Sequence, residues 1–514
     1  MTGKHLTVLI ILMAYLLINL FAGIYMSRKS ASENSSKGFL TNYFAGARGM
    51  GGFVLAMTLV ATYTSASSFL GGPGLAASVG LTQSWIAGVQ IGATFLTLGV
   101  LGKKFALISR RINAVTITDY LRARYQSDAV VIVCGLALVV FFITQMVAQF
   151  IGGATLIQSV TGLPYAAGLL LFGAVVIAYT AFGGFRAVVI TDTIQGIVMT
   201  IGTFLLMFFV IHACGGTGEI VAQLDAGNPG WDLIGKGEYG REIISMSPGY
   251  LLSYWVLVGV AILGIPQTAV RCMGFKDTKA MHNAMIYGTV VVGILMIGMH
   301  FIGTMTYPLL PEGGLDSTDK VIPYVVMQYM PGWAAGFFLA APLAAVMSTV
   351  DSLLILASAT IIKDLYVHYV VRKPQTAETG KEEEDSESSN SDLMKRVPVY
   401  SLIITFVIGV IACLLAFNPP DIIVWINLFA FGGLEATFVW PIIGGLYWKK
   451  GNSTACLAST VIGLATFIFF NRVKIVPFHI HEIVVALVVG GIVYFAVGKL
   501  TAREPDPEMI RKCF

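Results

Sequence analysis

Seven of the eleven residues from Thr58 to Ser68 carry a hydroxyl: Thr58, Thr62, Tyr63, Thr64, Ser65, Ser67 and Ser68. Gly71, Gly72, Pro73 and Gly74 follow, and the sequence before the run is apolar. Lipid satisfies no free peptide group, so backbone that breaks at membrane depth must line a cavity enclosed by protein. A helix loosened among hydroxyls offers neutral oxygens, which suit a hard cation. A second set lies in the stretch Ala340–Ser352, where Ala345, Ser348 and Thr349 stand at i, i+3 and i+4 and share one helix face. A carbonyl at Ala345, the two hydroxyls, and carbonyls at Ala61 and Thr64 together make a five-oxygen cage. The competing arrangement has Ser348 and Thr349 bonded to the carbonyl four residues back, as is common in membrane helices.

These groups need a scaffold, and the composition says which kind. The 514 residues are 56% hydrophobic and 12% charged, with a mean hydropathy of +0.79. A soluble domain carries roughly 25% charged residues, so this is an all-α polytopic membrane protein. Stretches long enough to cross a ~30 Å hydrocarbon core occur at about thirteen places: 6–26, 49–77, 81–108, 129–160, 164–182, 187–213, 249–270, 280–306, 333–366, 397–417, 421–447, 453–470 and 482–499. They are numbered span 1 to span 13 below. The charge at Arg28 and Lys29 comes after span 1, opposite to a signal peptide, so that span is kept as an extra N-terminal helix. With the N-terminus outside and the C-terminus cytoplasmic, the outer segments hold only Lys4, Lys236, Arg241, Lys320, Arg472 and Lys474 of the 32 Lys and Arg residues. The formal charge of +4 reflects that asymmetry and gives no reason to expect nucleic acid.

The whole chain, 1–514, reads as a single transporter domain. Spans 2–6 (49–213) and 7–11 (249–447) make a five-plus-five inverted repeat, followed by two C-terminal helices (453–499). Span 7 carries Gly259, Gly264 and Pro266 where span 2 carries its own glycines and proline, so spans 2 and 7 are expected to be discontinuous helices crossing near the site. The stretch 367–396 is acidic and serine-rich and reads as a cytoplasmic linker. Six scattered cysteines (134, 214, 272, 413, 456 and 513) lack metal or disulfide spacing.

Several stretches carry a resemblance. Gly46–Gly52, Ala61–Gly74, Asn113–Thr116, Gly183–Arg186 with Thr191–Gly196, Pro266–Cys272, Ala340–Tyr366 and Gly432–Ala436 are similar to the sodium:solute symporters, and within them most to the sodium/pantothenate symporters. The resemblance implies Na⁺ as coupling ion at Ala61, Thr64, Ala345, Ser348 and Thr349, matching the cage reached from spacing. It also implies a possible second Na⁺ at Asp192, Asp351 and Ser352, for which Asp192 as an N-cap of span 6 is the alternative. Arg48 resembles the family's arginine at the cytoplasmic gate, and a positive-inside anchor explains it equally. Tyr63 stands where some relatives have an acidic residue.

For the solute, Ser65, Ser67 and Ser68 face Gln267 and Thr268 across the two breaks, with Gln145 and Gln149 one turn apart on span 4. The helix N-terminus after the span 2 break is a place for an anionic group. Helix–helix bonding is the plainer role of the glutamines. Glu435, beside Gly432 and Gly433, is expected to bond a neighbouring helix, with proton or solute handling as the alternative. His212 and His300 are expected to be structural. The function expected is Na⁺-coupled uptake of a small carboxylate, pantothenate first, with proline, a short monocarboxylate or a sugar acid as alternatives. A membrane sensor and an intramembrane enzyme are weaker, because neither a signalling domain nor a nucleophile–base pair is readable. The partners are the solute and the lipid bilayer, and the oligomeric state is not readable.

Overall fold

A computed structural model describes residues 3–32, 49–226, 248–371 and 383–514, apart from positions 313, 474–475, 477–479 and 503. Among them no strand occurs, and ten helical stretches are long and apolar enough to cross a membrane, with Tyr165–Phe182 and Ala187–Ala213 counted separately. A broken pair, Gly52–Tyr63 with Ser67–Val79, adds an eleventh crossing, and shorter apolar helices lie at Leu251–Gly264 and Val399–Leu415. Each of the thirteen expected spans falls on one of these elements.

The helix Gly332–Ala359 occupies the centre, and the apolar window found in it is completely buried. It packs on the Tyr165–Ala213 helix, span 1 and span 4. Such all-round burial explains why the sequence shows no amphipathic stripe there, with apolar residues on every face and only a few small polar ones among them. Spans 5 and 6 differ from expectation. Tyr165–Ala213 is one helix, and Asp192 lies in its interior. Gly183 and Gly184 do not end it, because a glycine within a helix lowers its stability without breaking its hydrogen bonds. The acidic stretch differs too: helix reaches Val371 and resumes at Glu383, leaving 372–382 outside the described residues.

Two ends of the bundle can be told apart. At one, the Thr318–Lys320 turn lies against Gly71 and Gly74, and the Asp319 carboxylate accepts from Ile423 N–H at 3.2 Å at the start of span 11. At the other, Met50 and Phe275 form a parallel bridge, and Lys363 pairs with Asp119 while Asp364 accepts from Thr116. These are called the Gly71 end and the Met50 end.

Candidate functional site

Both expected breaks are present. The first half of span 2 stops at Tyr63, Thr64 is extended (φ −84°, ψ 142°), and the chain resumes through a wide turn at Ser67–Gly71 with a bend of 71°. Span 7 is interrupted at Ile265 (φ −85°, ψ 114°), with Pro266 opening the next helix. Proline cannot continue the preceding hydrogen-bond ladder.

The break in span 2 faces span 9. Ser348 Oγ donates to Ala61 O at 3.0 Å and lies 3.1 Å from Ala345 O. Thr349 Oγ1 donates to Thr64 O at 2.9 Å and lies 2.9 Å from Ala345 O. Each hydroxyl thus lies near a carbonyl of its own helix, three residues back for Ser348 and four for Thr349, and crosses to span 2. The result is a cluster of five neutral oxygens, buried among apolar side chains. Its donor set fits a hard monovalent cation better than a divalent one, which would bring carboxylates. Among the described residues no group of three or more His, Cys, Asp or Glu could hold a metal.

Beside this cluster lies a residue the sequence reading passed over. Arg271, on the short helix after the span 7 break, is completely buried. Its Nε donates to Thr58 Oγ1 at 2.9 Å and its guanidinium pairs with Asp192 Oδ2 at 3.1 Å. It also donates to Ser352 Oγ at 2.7 Å and to Gln267 O at 3.1 Å. One side chain thus joins spans 2, 6, 7 and 9. Ser352 donates in turn to Ser348 O at 2.7 Å, one helical turn from the oxygen cluster. Asp192 is accordingly no N-cap: it is an ion-pair partner inside its helix, held also by Thr58 at 2.6 Å. Asp351 accepts from Tyr179 at 2.8 Å, and its Oδ1 lies 3.4 Å from Ser352 Oγ. The structure brings Asp192 and Ser352 to one guanidinium, with Asp351 next to Ser352 in the chain, and Asp192 Oδ1 has no protein partner.

On the other side of the break lies a cavity that encloses about 550 Å³ of empty space when the solvent at its open mouth is counted. Ser65, Ser67 and Ser68 line it. Gln83, Gln90, Tyr254, His300 and Asn427 line it as well and were not foreseen as solute contacts. Single polar residues on apolar helices give no periodic signal that would find them. Gln145, Gln149, Gln267 and Thr268 sit behind the wall. Gln267 Nε2 donates to Gln145 Oε1 at 3.3 Å, Gln149 Oε1 accepts from Ala66 N–H at 2.9 Å, and Thr268 caps its own turn on Ile265 O at 2.8 Å. The Ser65 and Ala66 amides are taken by Ser68 Oγ (3.3 Å) and Gln149, so the N-terminus after the break offers these two to no anion.

Glu435 departs from its expected role, since neither carboxyl oxygen has a hydrogen-bond partner although the residue is buried. It follows Leu428 and Phe431, both lining the cavity, by seven and four residues, and so lies on the same helix face one turn nearer the Met50 end. Tyr63 donates to Thr97 Oγ1 at 2.6 Å. His212 stacks on Phe208 with ring centroids 6.3 Å apart. Arg48 lies outside the described residues.

The model of the sodium:solute symporter family matches residues 43–463. The chain belongs to that family. It is 45% identical over 506 residues to the sodium/pantothenate symporter of Escherichia coli (strain K12), covering 98% of this chain and 99% of the relative. It is 44% identical to the sodium/pantothenate symporter of Haemophilus influenzae (strain ATCC 51907 / DSM 11121 / KW20 / Rd), over 92% and 93% of the two chains. A solved structure of a Na⁺-coupled sialic acid symporter in a substrate-bound outward-open state shares the fold, with a TM-score of 0.75 at 19% identity over 97% of this chain and 98% of that one. The chain is therefore a multi-pass membrane carrier with Na⁺ as its coupling ion, and it is not an enzyme.

Proposed function

We propose that the chain takes up pantothenate together with Na⁺ by alternating access. The observation that carries this is the single break in span 2: one side gives carbonyls to the five-oxygen cluster, the other lines the cavity. Na⁺ at Ala61, Thr64, Ala345, Ser348 and Thr349 holds the two halves of span 2 against span 9. Pantothenate has a carboxylate, an amide and two hydroxyls, and the neutral donors and acceptors around the cavity match such a solute. The sodium/pantothenate symporters at 44–45% identity over nearly the full chain support the same solute.

In this reading residues 49–213 and 249–447 are the inverted repeats, the Gly71 end faces outward, and the C-terminus is cytoplasmic. Asp192, Asp351 and Ser352 form a second cation site, for which the unpartnered Asp192 Oδ1 is the support. Coupling requires Na⁺ to favour one conformation over another. One Na⁺ with one carboxylate makes an electroneutral cycle, and two Na⁺ make an inward current. Counterflow of labelled pantothenate in proteoliposomes tests the function: exchange should need Na⁺ and fail when choline replaces it. No exchange of labelled pantothenate, with labelled proline exchanging instead, would overturn the solute assignment.

A further inference from the structure

His300 stands on span 8 (Thr278–Met305), and its ring lines the cavity beside Ser67, Ser68 and Asn427. The sequence marks it only as a lone histidine on an apolar helix. Its Nδ1 lies 2.7 Å from Met296 O. A carbonyl oxygen can only accept, so Nδ1 carries the proton and donates to it. Among the described residues no Asp or Glu lines the cavity, so no carboxylate of theirs favours a doubly protonated ring. The second nitrogen, Nε2, then presents a lone pair. Its position is set by Gly72: a Cβ there would stand 2.2 Å from Nε2 and 2.7 Å from Ser67 O. Glycine at 72 is what allows the ring to reach the wall.

Among the described residues no Lys or Arg lines this cavity. Ser, Gln, Asn and Tyr side chains can turn either a donor or an acceptor toward a solute. The His300 ring, fixed at Nδ1, can only accept at Nε2. A carboxylate has no proton to give it, whereas a hydroxyl or an amide N–H does. We infer that His300 is the residue that recognises a hydroxyl of the solute, orienting the hydroxyl-bearing end toward span 8. This deepens, and rests on, the assignment of pantothenate as solute.

The test uses the full-length chain in proteoliposomes, with labelled pantothenate and an analogue in which both hydroxyls are replaced by hydrogen. The unaltered chain should show a KM for the analogue roughly 10–100-fold above that for pantothenate, the effect of leaving a buried acceptor unpaired. His300→Phe should raise the KM for pantothenate toward that of the analogue, leave the analogue's KM nearly unchanged, and leave the Na⁺ concentration for half-maximal uptake in place. His300→Gln, which keeps an acceptor and avoids the bulk change, should retain most of the discrimination and guards against a His300→Phe chain that fails to fold. Equal KM values for both solutes in the unaltered chain overturn the inference while leaving pantothenate transport standing. So does discrimination that persists in His300→Phe. Absence of Na⁺-dependent pantothenate uptake in the unaltered chain overturns the solute assignment itself, and the inference with it.

Discussion

Replacing Arg271 with Met probes the centre of the molecule. The guanidinium makes four hydrogen bonds to four different segments and is completely buried. Methionine keeps much of the stem volume but leaves the Asp192 carboxylate, itself fully buried, with only Thr58 as donor. Breaking one side of a buried pair leaves an uncompensated charge, which costs about 3–5 kcal/mol. Arg271→Met should therefore unfold at markedly lower denaturant in mixed micelles. Asp192→Asn should do the same, since it strands the guanidinium. The double variant removes both charges, and only the lost hydrogen bonds remain, at about 0.5–1.5 kcal/mol each. Its midpoint should lie above that of either single variant, with a coupling free energy of about 2 kcal/mol or more. Because Ser352 links Arg271 to Ser348 O, the Arg271 variants should also need more Na⁺ for half-maximal uptake. Additive destabilisation, with the double variant the least stable of the three, would refute the reasoning.

Ser348→Ala with Thr349→Ala removes both hydroxyls that cross to span 2. At about 1 kcal/mol each, the Na⁺ requirement in an uptake titration should rise roughly 30-fold. Gly74→Ala places a Cβ 1.9 Å from Thr318 O, a backbone atom; the melting midpoint should fall by the equivalent of about 1–3 kcal/mol. Gly88→Ala, with nothing within 4 Å of the added carbon, should leave that midpoint unchanged or slightly raised. Burial raises the Asp319 carboxyl to about 6 against the opposing Ile423 N–H, and nearby Asp421 adds to the rise. The folded chain then holds a proton that the unfolded chain has already released between about pH 4 and 6, so stability is highest below that window and falls through it, by about 3 kcal/mol in all. Asp319→Asn should flatten the pH dependence of melting over this interval.

Much of this was legible in the chain because the signals are local. Ala345, Ser348 and Thr349 share a face by helical spacing alone, and the breaks in spans 2 and 7 are written as Gly and Pro at matching places. Arg271 was not legible. It lies six residues beyond the break at Ile265 and near the end of its span, where an arginine ordinarily reads as a surface anchor. Only packing shows that it turns inward to Asp192. The same holds for Asp192, whose neighbouring glycines imitate a loop although the helix runs through them. The cavity wall defeated sequence reading for a different reason. Gln83, Asn427 and His300 come from three helices far apart in sequence, and each is isolated among apolar neighbours.

The route from ion to solute is short enough to argue from bonds. Thr349 holds the Thr64 carbonyl, and two residues on, Ala66 N–H is held by Gln149 Oε1 at 2.9 Å. Gln149 Nε2 reaches Asn427 Oδ1 at 3.4 Å, and Asn427 lines the cavity. A cation that draws the Ala61 and Thr64 carbonyls toward itself competes with the hydroxyls for the same oxygens, and so acts on the segment whose next residues form the cavity wall. Because that segment has left the helical ladder, its carbonyls are free to respond where those of an intact helix would be fixed. Whatever factor Na⁺ contributes to solute affinity through this segment, the solute must return to Na⁺ affinity, since the two share one coupling free energy. An unbroken span 2 would deprive both sites of their common element, which explains why the ion cluster and the solute cavity meet at Thr64 and Ser65.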